Sequence, residues 1–105
     1  MLLSDSRVAE LVSQAKAMVD SNDRMSLWRA YVAIEHAILD LKLRYHLGGE
    51  SPPKPAKKAD LAAAKLMLER IDPSSDKKKL LYDLRACRDL LKALVASYDR
   101  RSTTS

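Results

Sequence analysis

LWRAYVAIEHAILDLKLRYHL, residues 27–47, decides the fold. Nothing in it breaks a helix, and its apolar residues form two stripes. Leu27, Tyr31, Ile34, Ile38, Leu41 and Tyr45 recur at alternating spacings of four and three, which puts them on one helical face. Trp28, Val32, Leu39 and Leu43 fall about 100–160° further around the wheel and make a second stripe. Arg29, His36 and Asp40 gather on a third side, roughly opposite the first stripe. A helix that is apolar on two sides belongs at the centre of a bundle or at a subunit interface.

The rest of the chain offers this helix helical neighbours. Residues 6–19 predict a first helix, with Val8, Leu11, Val12, Ala15, Met18 and Val19 on its apolar face and Ser4 or Ser6 as cap. Asp20-Ser21-Asn22-Asp23 is a turn that also supplies the next cap, and so short a connection makes helices one and two antiparallel neighbours. Helix two is expected over about 25–47, with Gly48 as its left-handed C-terminal cap. Three prolines in GESPPKP, residues 49–55, then forbid helix. A third helix is expected over about 57–71, lined by Leu61, Ala64, Leu68 and Ile71. Asp72-Pro73-Ser74-Ser75-Asp76 reads as the start of a fourth, over about 75–99. Its stripe is Leu80, Leu84, Cys87, Leu91, Leu94 and Tyr98, and the last residues, RRSTTS, read as frayed.

With 105 residues, one domain spanning 1–105 is the natural count. Two glycines and no phenylalanine, among many Ala, Leu, Lys, Arg and Asp, favour helix over sheet. The expected architecture is all-α, an antiparallel up-and-down four-helix bundle. One cysteine excludes an internal disulfide and suits a reducing compartment. No apolar run nears the ~18–20 residues of a membrane span, and the start MLLSDSR turns polar too soon for a signal peptide. A cytoplasmic protein with no membrane partner is therefore expected.

Charge is unevenly placed. Residues 1–51 hold 6 Lys+Arg against 7 Asp+Glu (−1), and residues 52–105 hold 13 against 7 (+6), which together make the net +5. A basic second half points to an anionic partner, nucleic acid first, or else to a lysine-rich solvated surface. On helix four, Lys78, Arg85, Arg88 and Lys92 share one side, with Leu81 among them. Such a row could track a phosphate backbone, or be a solvated face partly neutralised by Asp89 and Asp99. Few aromatic residues lie nearby, so base stacking has little support.

Arg29 and His36, seven apart, stand two turns apart on one face, and His36 can pair with Asp40 four residues on. An imidazole beside a carboxylate can act as a general base, and an arginine can hold a phosphate. The alternative is a polar helix face with an ordinary ion pair. Trp28, Val32, Leu39 and Leu43 either pack on a further helix or stay uncovered as a homodimer surface, with Glu35 and Lys42 as a rim pair. Cys87, on the inner stripe, reads as a small buried hydrophobe and not as a nucleophile. No metal-spaced Cys/His set, Gly-rich phosphate loop or cofactor motif is present.

Residues 9–39, AELVSQAKAMVDSNDRMSLWRAYVAIEHAIL, resemble the first two helices of HEPN domains (higher eukaryote and prokaryote nucleotide-binding). Members often read as a helix, a short turn, then an RAYYAxxHA-like segment. Here that segment is Arg29-Ala30-Tyr31-Val32-Ala33-Ile34-Glu35-His36-Ala37. The resemblance implies a helical bundle, dimerisation and an association with nucleic acid or its enzymes. Active members are metal-independent RNases with an Arg-x(4–6)-His motif on a late helix. This chain has Arg85 and Arg88 on helix four with no histidine after them, and its one match to the spacing is Arg29-x6-His36 on helix two. The expected function is accordingly a small non-catalytic binding protein for nucleic acid, or an accessory partner of a nucleic-acid enzyme. Two alternatives stand beside it. One is an RNase using Arg29 and His36, and the other a protein-interaction bundle gripping a partner helix.

Overall fold

In a computed structural model of the chain, the backbone is described for residues 2–21, 23–47 and 60–104, and side chains for residues 7–21, 23–47 and 60–98. Four helices follow one another: α1 (Leu2–Val19), α2 (Arg24–Tyr45), α3 (Leu61–Arg70) and α4 (Lys77–Thr104). There is no strand among the described residues. The protein is an all-α four-helix bundle.

Short acidic residues fix where the helices start. Asp23, in extended backbone, accepts from the Ser26 amide at 2.8 Å and from the Ser26 hydroxyl at 3.1 Å, which starts α2. Asp60 does the same for α3 through the Ala63 amide at 2.8 Å. Asp76 accepts from the amides of Lys78 and Lys79 and so caps α4 two residues later than the sequence suggests. Asp72 instead closes the preceding turn by accepting from the amide and hydroxyl of Ser74, which hold its carboxyl below the usual range.

Some boundaries differ from expectation. Because α1 begins at Leu2, Ser4 and Ser6 lie inside the helix and do not cap it. At the end of α2, His46 takes the left-handed conformation (φ 54°, ψ 42°), and the expected cap Gly48 lies outside the described residues with the proline loop and residues 57–59. The last turns of α4 run on to Thr104, through the stretch expected to fray.

Packing follows a simple ring. α1 packs on α2, α2 on α4, α4 on α3, and α3 on α1; α2 and α3 sit across the diagonal. Cross-helix pairs give the directions. Lys77 lies over the Tyr45 ring while Arg88 reaches Glu35, so α2 and α4 are antiparallel. Lys65 pairs with Asp20 at 3.6 Å, and Leu68 and Glu69 lie toward Lys16, so α3 runs against α1.

The core is wholly apolar among the described residues. Leu27, Ile34, Ile38 and Leu41 of α2 meet Leu80, Leu84, Cys87, Leu91 and Leu94 of α4, with Val8, Leu11, Val12, Ala15 and Val19 from α1. α4 buries a broader arc than one stripe. Leu81, Leu90 and Val95 are also buried, because α4 touches both α2 and α3. Leu81 therefore belongs to the core and not to the basic row. Tyr45, expected on the core stripe, is exposed, since it stands at the end of α2, under Lys77 at 5.3 Å.

Candidate interaction face on helix two

The bundle covers only one of the two apolar stripes on α2. Leu43 is 75% exposed, Leu39 56%, Met25 52% and Trp28 43%, with Val32 half-buried. Met25 extends the expected set by one turn. Its position, three before Trp28 and seven before Val32, was a usable signal in the sequence. At 1.5 Å per residue, Met25 to Leu43 make an apolar ridge about 27 Å long on the surface.

Beside the first half of the ridge, an open groove of about 460 Å³ lies between α1 and α2. Leu11, Gln14 and Met18 of α1 form one wall, and Met25, Trp28, Arg29, Val32, Ala33 and His36 of α2 the other. Arg29 and His36 thus share a surface, but as the polar lip of an apolar groove. Neither makes a hydrogen bond or ion pair with another described residue. Asp40 does not join them. It accepts from Arg44 Nε at 2.8 Å, one turn on, in a charge-assisted bond to a permanent guanidinium. The expected His36–Asp40 pair is absent among the described residues, so no carboxylate orients the imidazole as a base.

The opposite edge of the ridge is held by a chain of contacts from α2 to α4. Trp28 and Tyr31 rings lie 5.2 Å apart, tilted by 30°. The Tyr31 hydroxyl donates to Glu35 at 3.4 Å, and Arg88 Nη1 reaches the other Glu35 oxygen at 3.3 Å. Arg88 Nε also donates to Asp89 at 3.1 Å. Burial, then the Glu35 carboxylate, raises the Tyr31 hydroxyl above its usual range. Glu35 therefore pairs across helices with Arg88 and not with Lys42, a long-range contact that local spacing does not encode.

Arg88 is accordingly an interhelical clamp within the expected basic row. Lys78 and Lys92 are exposed and Arg85 half-buried, each seven residues from the next, so three cations still follow one side of α4. Cys87 lies in the core, where burial pushes its thiol up to about 12. The described residues contain no group of three or more His, Cys, Asp or Glu placed to hold a metal. No described helix is long and apolar enough to cross a membrane. Compared with family models, curated proteins and solved structures, the chain matches none.

Proposed function

We propose that this protein is a non-catalytic helical binding module whose working surface is the outward face of α2. One observation carries the reading: four large apolar side chains, Met25, Trp28, Leu39 and Leu43, stand exposed along one side of α2, more than on any other described helix. Contiguous exposed apolar surface on a small soluble domain marks an interface. The resemblance of residues 9–39 to HEPN-type hairpins supports the same role, because such domains work through assembly. The lone buried thiol of Cys87 suits action in the cytoplasm.

Sedimentation over a concentration range tests the proposal, with the protein alone and with a neutral leucine-striped helical peptide. A complex is expected, and it should be lost in Leu39→Glu. A particle that stays monomeric at every concentration and ignores the peptide overturns the reading.

A second reading has its own observation. Lys78, Arg85 and Lys92 keep to one side of α4, a row that suits a phosphate backbone. Titration against single- and double-stranded nucleic acid at rising salt should then show binding that weakens in Lys92→Glu. Binding indifferent to that substitution counts against it. Cleavage by Arg29 and His36 is supported only by their shared groove lip, and RNA hydrolysis that vanishes in His36→Ala is what this alternative requires.

A further inference from the structure

We infer that the ridge and groove of α2 receive an amphipathic helix of another protein, one whose flanks are acidic. The inference rests on the binding role proposed above and adds the chemistry of the partner.

Shape favours a helix. The ridge is about five turns long, and a groove opens on its α1 side, where Met18 and Met25 supply adaptable walls. An apolar helix face laid in such a groove is a common recognition mode. A nucleic acid would find only one aromatic ring along the ridge, Trp28, and aliphatic side chains at Leu39 and Leu43.

Charge selects the flanks. Arg29 borders the ridge on its α1 side. On the α4 side stand Lys42 and, on α4 itself, Lys78 and Lys92. The carboxylates of α2 and of this side of α4 are engaged elsewhere, Glu35 and Asp89 with Arg88 and Asp40 with Arg44. An apolar strip with Arg29 on one edge and lysines on the other complements an apolar strip flanked by carboxylates.

The same charges argue against a second copy. A two-fold axis perpendicular to α2 would set the α4 row against itself. One parallel to α2 would set that row against the Arg29 edge. Either arrangement brings cations to cations.

Three labelled peptides of one leucine stripe, with Glu, neutral or Lys flanks, test the inference by anisotropy at low and high salt. The Glu-flanked peptide should bind at least roughly tenfold tighter than its Lys twin, and the gap should shrink with salt. Leu43→Ser should weaken it, and Lys92→Glu should weaken it while strengthening the Lys-flanked peptide. Both positions are exposed, so folding is not at stake. Equal binding of all three peptides overturns the acidic partner and leaves the binding role intact. So does a wild-type dimer that Leu43→Ser dissolves and no peptide enters, or an oligonucleotide that binds where no peptide does. If nothing covers the ridge, both fall.

Discussion

Burial sets the chemistry of Cys87. An ordinary thiol titrates near 9.0, whereas this one is pushed up to about 12. Below pH 9 the thiol is neutral folded or unfolded, and its burial contribution is fully present. As pH climbs toward 12 the unfolded chain ionises first, so stability is lost on the alkaline side. The shift corresponds to about 4 kcal/mol at its fullest. Tyr31, raised by burial and by Glu35, acts in the same direction above pH 10.0. Urea midpoints measured from pH 8 to 11 should fall steeply for wild type. Cys87→Ala should start lower and fall less; parallel curves would show that the thiol is not the cause. The Glu35–Arg88 pair, with both side chains partly exposed, is a modest clamp. A double-mutant cycle through Glu35→Gln and Arg88→Gln should return about 1 kcal/mol or less of coupling.

Among the elements, α2 and α4 carry contrasting faces. Leu84 is fully buried where these helices meet, so Leu84→Ala should cost about 2–5 kcal/mol in chemical denaturation. Leu43→Ser, on the outward ridge, should stay within about 0.5 kcal/mol of wild type, because no described part of the fold covers it. Comparable losses at both sites would mean that the ridge serves the fold of the monomer. Asp76→Ala, which removes the cap of α4, should cost about 1 kcal/mol. The helices themselves were legible in the sequence, since spacings of three and four report a buried face whatever the partner. Their ends were less so. Asp72 and Asp76 offer the same capping group four residues apart, and only the turn made with Ser74 decides between them.

For the whole molecule, the ring order was the part that local pattern could not supply. Nothing in helix periodicity says that α2 lies between α1 and α4, or that α3 takes the diagonal position. Two residues show the consequence. Spacing along α4 places Arg88 in a row of cations with Leu81 among them, whereas packing brings Arg88 onto Glu35 of α2 and buries Leu81. The double stripe on α2 was legible from the outset. Its use was not, because a pattern on one helix cannot show whether a fifth surface covers it. Trp28, the only tryptophan of the chain, sits on that ridge and reports its cover directly. Its emission should therefore be followed as the Glu-flanked leucine-stripe peptide is added to wild type and to Leu39→Glu. A blue shift and loss of quencher access are expected in wild type and not in the variant. An emission that stays at the wavelength of a solvated indole, under addition of peptide or of more protein, would contradict the claim that the outward face of α2 is the binding surface.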